Sequence, residues 1–169
     1  MAVSSSLSMA ATVSQTKTLD LTTVADPLMF RRAVNLTDGT TAGKADKVFH
    51  DRRTLAASAT EDLDLAGSLL DAFGAVINLV RVKGLFISAA AANENNVIIG
   101  NAASNGWATL LNATGTLILR PGASIGAMAG PADATAYAVT AGTGDLLTVA
   151  NSGAGSAVTY DIVIVGASA

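Results

Sequence analysis

Residues 76–90 read VINLVRVKGLFISAA and residues 158–165 read VTYDIVIV. Both are dense in Val and Ile. Their branched side chains fit a pleated surface and lose rotamer freedom in a helix. The first run is the strongest strand signal in the chain, and Gly84 inside it predicts a bulge or bend. Period-two reading of the two runs places Val80, Val82, Phe86, Ile162 and Ile164 in the core.

Working outward, short strand-like runs recur at 30–36, 47–55, 60–65, 97–100, 107–111, 116–120, 123–129, 136–140 and 146–150. Turn chemistry separates them: Asp38-Gly39, the NENN of 93–96, Asn112 to Gly115, Pro121-Gly122, Gly142 to Gly144 and Gly153 to Gly155. A repeat of about 8–12 residues with such punctuation is the signature of a β-sandwich or barrel. No helix of ordinary length is expected. The predicted fold is all-β: a sandwich of about eight strands, Greek-key or jelly-roll-like, over residues 57–169. Residues 1–56 are set apart. Residues 1–25 are rich in Ser, Thr and Ala, with weak alternation over 13–21, and predict an extended N-terminal arm. Residues 26–56 predict a lattice-contact segment.

Composition narrows the possible functions. The 169 residues include no cysteine, which excludes disulfides, thiolate metal sites and a cysteine nucleophile. His50 is the single histidine, so no multi-histidine metal cage exists. Charged residues make up 14% of the chain, against about 25% in an average soluble domain. Net charge is −3, which gives no footprint for nucleic acid. The N-terminus lacks a basic segment followed by an apolar one, so no signal peptide is expected. The longest run without a charge, 95–119, contains five Asn and three Gly and does not suit a membrane span.

The charges are unevenly placed. Nineteen of 23 lie in the first 94 residues, and only Arg120, Asp133, Asp145 and Asp161 follow. A half-chain so poor in charge is expected to hydrate itself through Asn, Ser, Thr and Gly or to be covered by neighbours. The cations Lys17, Arg31, Arg32, Lys47, Arg52 and Arg53 are the expected partner contacts. Those over 31–53 interleave with acids, which suits salt bridges more than a phosphate track. The acidic segment 61–71 is expected to pair with this group from a neighbouring copy. Charge reversal at Arg52 and Arg53 is then expected to harm assembly more than stability.

No constellation predicts catalysis. His50 and Asp51 are adjacent, so on a strand they point to opposite faces and do not orient each other. Asp62 and Asp64 share a strand face, but no calcium-loop pattern accompanies them. Trp107, Tyr137 and the amide-rich loops 93–96 and 101–105 are the only candidates for stacking on and hydrogen-bonding a glycan. No Gly-rich phosphate loop precedes a helix. The expectation is a protein that is not an enzyme, with no metal and no cofactor.

The phrases TLAASATEDLDLAG (54–67), NNVIIGNAASNGW (95–107) and the tail from Tyr137 to Ala169 resemble small structural proteins of tailed bacteriophages. Among these the chain is most similar to capsid decoration, or cement, proteins. The resemblance implies a homotrimer on the outer surface of the capsid in the virion. It also implies binding to the major capsid protein across neighbouring subunits, with no nucleic acid, membrane or cofactor. A tail or tail-tip protein and a receptor- or glycan-binding module are the alternatives.

Overall fold

The computed structural model describes residues 2–169, and only Met1, the first residue of the expected arm, lies outside them. No helix occurs among the described residues. The strands are β1 (Ser5–Thr18), β2 (Thr23–Asp38), β3 (Lys44–Ala45), β4 (Lys47–Leu55), β5 (Thr60–Asp64) and β6 (Arg81–Ala89). They continue with β7 (Val97–Gly100), β8 (Thr116–Leu119), β9 (Ser124–Met128), β10 (Tyr137–Ala138), β11 (Leu146–Asn151) and β12 (Val158–Ala167).

Nine of these build two antiparallel sheets. One runs β4-β12-β6, with β9 and the short β10 sharing the far edge of β6; the other runs β5-β11-β7-β8. β6 and β12, the two runs richest in Val and Ile, pair with each other at the centre of the first sheet. Their inner faces meet the second sheet. Val158, Tyr160, Ile162 and Ile164 of β12 and Leu85, Ile87 and Ala89 of β6 pack with Leu63, Leu147, Val149, Val97, Ile99 and Leu119.

The core list from period two is only partly realised. Val82, Ile162 and Ile164 are 1% exposed, but Val80 is 43% exposed and Phe86 points to the opposite face of the sheet. For Phe86 the reason is a β-bulge, whereas Val80 lies in the bend that precedes β6. Val165 pairs with Gly84 and Gly166 with Val82, so Lys83 is an extra residue. One inserted residue reverses the faces beyond it. Val82 and Leu85 therefore both point inward although one number is even and the other odd. Ile162→Ala is expected to cost about 2–4 kcal/mol, whereas Val80→Ala leaves stability nearly unchanged. Denaturant midpoints of the two variants test this contrast.

β1 and β2 differ from the expected single extended arm. They form one hairpin of fourteen residue pairs, from Ser5↔Leu36 to Thr18↔Thr23. The weak alternation at 13–21 and the short strand at 30–36 are two parts of this ribbon. Residues 107–111 are not a strand. They follow a bridge at Gly106, and Trp107 enters the core from a turn.

Candidate interaction surface

The hairpin is held only at its base. Leu7, Val34 and Leu36 are buried against Ala45, Val48, Phe86, Met128 and Val165 on the outer face of the first sheet. Gly84 makes this possible, because a Cβ at that position would lie 2.5 Å from Leu7 Cδ1. Gly126 does the same for Phe86, whose ring lies across it from the neighbouring strand. The short β3 runs parallel to the end of β2 and ties the base further.

Beyond Leu7 the ribbon stands exposed on both faces. Partners directly across a strand pair share a face, and every second residue returns to it. One face therefore carries an apolar stripe of Met9, Ala11 and Val13 from β1 with Phe30, Leu28 and Val24 from β2, bordered by Arg32 and, toward the tip, by Gln15, Lys17 and Asp26. It continues the row of Leu7 and Val34, which is buried. The other face carries Ser8, Thr12, Ser14 and Thr16, with Met29 its one large apolar side chain. Fourteen residues at about 3.4 Å each make an arm about 48 Å long. An isolated two-stranded ribbon is marginal in water, and its free edges invite pairing.

The six expected contact cations do not form one patch. Lys17 lies near the tip on the apolar face, opposite Val24. Arg31 and Arg32 lie on opposite faces of β2, and the Arg32 guanidinium sits 4.8 Å over the Phe30 ring. Lys47 begins β4, beside the hairpin base. Arg52 and Arg53 are engaged within the chain. Arg52 pairs with Asp161 at 2.6 Å on the exposed face. Arg53 pairs with Asp51 at 2.9 Å and Glu61 at 2.6 Å. These are the only ion pairs among the described residues. The acid expected to come from a neighbouring copy thus comes, for Arg53, from the same chain.

Glu61 and Arg53 belong to a clasp between the two sheets. Tyr160, fully buried on β12, donates its hydroxyl to Glu61 Oε1 at 2.7 Å. Arg53 Nε donates to Glu61 Oε2 at 2.8 Å. Burial pushes the Tyr160 phenol well above its ordinary value, and the Glu61 carboxylate adds to the shift. The hydrogen bond to Glu61 is the main reason the Arg53 guanidinium is held above its own. A phenol whose folded value is raised stabilises the fold fully below its unfolded value of 10.0. That contribution is lost as pH climbs through the folded value. Tyr160→Phe is expected to lower stability by about 1–2 kcal/mol at neutral pH and to flatten the alkaline decline. Denaturant midpoints of both proteins on either side of pH 10 give the comparison.

The remaining polar candidates have structural duties. Trp107 is 5% exposed, its Nε1 donates to the Ala138 carbonyl at 2.8 Å, and its ring meets Tyr137 edge-on. It offers no stacking platform. Asn93 pairs with the backbone of Thr159 in both directions, and Asn95 donates to Gly153 and Ser156 carbonyls. Asn101, Asn105 and Asn112 sit in the left-handed region, which Asn tolerates better than most residues. Asp62 accepts from Thr148, and Asp64 from the Ala66 N–H. Among the described residues no three His, Asp or Glu side chains converge as metal ligands would. Among the described residues no helix is long and apolar enough to cross a membrane.

One buried charge escaped the sequence reading. Lys83, the extra residue of the bulge, is 2% exposed, and its Nζ donates to the Thr41 carbonyl. Burial lowers its pKa, and Arg81 adds to this. The contact fastens the 39–43 loop over the sheet beside the hairpin base.

Comparison with known proteins returned no matching family model, no matching curated protein and no matching solved structure.

Proposed function

We propose that this chain is a non-enzymatic structural protein of a phage virion. It decorates the outer surface of the capsid and stabilises it by binding across neighbouring capsid subunits. The observation that carries the reading is the hairpin: about 48 Å of ribbon with an exposed apolar stripe on one face, anchored at one end and unpartnered along the rest. Ribbons of this kind are covered in the assembled state, because exposed apolar strand edges otherwise aggregate.

The strand order supports the same reading. Counting the eight main strands in chain order gives 1-8-3-6 in one sheet and 2-7-4-5 in the other. This order is compatible with a jelly roll, an architecture common among viral capsid and lectin domains. Fold alone does not assign function, so the weight rests on the arm. Self-association as a homotrimer would present three arms at once. Multivalent display turns modest single contacts into large avidity, and binding the assembled shell stabilises it by mass action.

The test is co-sedimentation of the purified chain with undecorated shells of the major capsid protein from the same genome. Saturable binding that raises the melting temperature of the shell is the expected result. Binding to isolated tails instead would move the protein to the tail, and a chain that binds neither would sink the reading.

A further inference from the structure

The two edges of the hairpin differ in chemistry, and one of them is open. In an antiparallel pair, successive residues point their main-chain groups alternately toward the partner and away from it. The Leu19 N–H donates to the Thr22 carbonyl at 2.7 Å and closes the ribbon. The odd residues of β1 therefore face β2 with their main-chain groups, and the even ones face outward. The far edge of the ribbon keeps the same phase. Thr37, an odd residue of β2, donates its N–H away from β1 to the Gly43 carbonyl at 3.2 Å.

The outer edge of β2 is blunted in three ways. β3 pairs with its end, at Thr37 and Asp38. Pro27 has no N–H to offer at an outward position. Arg31 and Arg32 add charge beside it. These are the devices by which proteins close sheet edges, and the outer edge of β1 has none of them. Its fourteen residues include no proline and no acid, and their one charge, Lys17, lies near the tip. The outward main-chain groups of Ser8, Ala10, Thr12, Ser14 and Thr16 have no partner among the described residues. The edges of the sandwich differ: β5 and β8 are short, and β4 carries Lys47, Asp51, Arg52 and Arg53.

What fits a row of main-chain donors and acceptors is another extended strand. We infer that the open edge of β1 pairs with β1 of a second copy, antiparallel, about a two-fold axis at Thr12. Ser8 then lies opposite Thr16, Ala10 opposite Ser14, and Thr12 opposite its own twin. Odd residues meet odd residues, with Ala11 opposite Val13, so the apolar stripe keeps to one face and the hydroxyls to the other. The two Lys17 ammoniums, the only charges on the paired strands, come about 34 Å apart, whereas parallel pairing in register would set them side by side. About ten main-chain hydrogen bonds form, the number typical of a specific interface. Two marginal ribbons become one four-stranded sheet, and three or more strands with an apolar face are what independent stability needs. The contact is isologous and closes as a pair. Both apolar stripes stay on the same face of the joint sheet and remain open. The contact goes beyond the virion reading, because it concerns only copies of this chain.

Sedimentation equilibrium of the purified full chain and of variants at Thr12 tests it. The native chain is expected to pair with a dissociation constant of about 10–100 µM, because main-chain bonds must first repay the freedom lost on association. At low micromolar concentration the ribbon is then unpaired. Thr12→Pro removes an outward N–H and leaves every bond between β1 and β2, and Thr12→Lys sets two ammoniums on the axis. Each is expected to weaken pairing at least about tenfold. The lysine variant changes an exposed side chain only, so it decides the matter even where proline loosens the ribbon. The chain has no cysteine, so a single introduced one reports the register. Under a copper–phenanthroline oxidant, Thr12→Cys is expected to link two copies by a disulfide, since directly opposed Cα atoms lie about 5.5 Å apart. Thr16→Cys, also exposed, faces Ser8 and should link far less. A native chain that does not pair up to about 1 mM overturns the proposal. So does native pairing by Thr12→Lys, or linking of Thr16→Cys as fast as Thr12→Cys.

Discussion

A chain carrying Val13→Ser, Leu28→Ser and Phe30→Ser is expected to fold as the native protein does and to bind undecorated shells a few hundredfold more weakly. The three side chains lie in consecutive rows of the apolar hairpin face and are about half exposed in the free protein. Burying the rest of each contributes about 1–1.5 kcal/mol, and the sum of about 3–4 kcal/mol is a few hundredfold in affinity. None of the three belongs to either buried cluster, so the melting temperature should hold. Ser on the opposite face, at Met29, is the control and should change binding far less. Equal binding by the triple variant and the native chain would mean that the stripe faces solvent in the assembly.

Arg53→Glu is expected to cost about 2–4 kcal/mol of stability, whereas Arg52→Glu, one residue away, barely moves the melting temperature. Arg52 and Asp161 meet on an exposed face where solvent screens the pair. Arg53 closes the clasp on Glu61, which also holds the buried Tyr160 hydroxyl. Reversal leaves Glu61 without its cation and places a third carboxylate beside Glu61 and Asp51. Removing one partner of a part-buried pair costs more than the pair itself contributes. At about 2–4 °C per kcal/mol for a chain of this size, calorimetry should show a drop of about 5–15 °C. A small drop for Arg53→Glu would mean that the inter-sheet clasp is not what holds β4 to β5. This revises the expectation that both arginines serve assembly more than stability.

The sandwich was legible because its signals are local. The β-branched runs of β6 and β12, the Asn and Gly turns and their spacing all lie within short windows. The departures arise where a distant contact decides. Gly84 marked an irregularity, but which neighbour carried the extra residue depends on the register with β12. That register sends Phe86 outward, while Val80 is exposed in the bend before β6 begins. The hairpin was half visible, as alternation over 13–21 and a strand over 30–36. Its loop, Leu-Asp-Leu-Thr, lacks the Asn-Gly or Gly signal that announces a tight turn. The cations were found as candidates by composition, yet their roles separate only in three dimensions. Arg53 lies eight residues from Glu61 and Arg52 lies 109 from Asp161.

The hairpin, rather than the sandwich, is expected to attach this protein to its assembly. Hydrogen exchange of the native chain, free and bound to shells, tests it most directly. Amides of residues 9–32 are expected to exchange fast in the free chain and to become strongly protected on the shell, while β6 and β12 stay equally slow in both. New protection confined to the sandwich, with the hairpin exchanging as fast on the shell as off it, would contradict it.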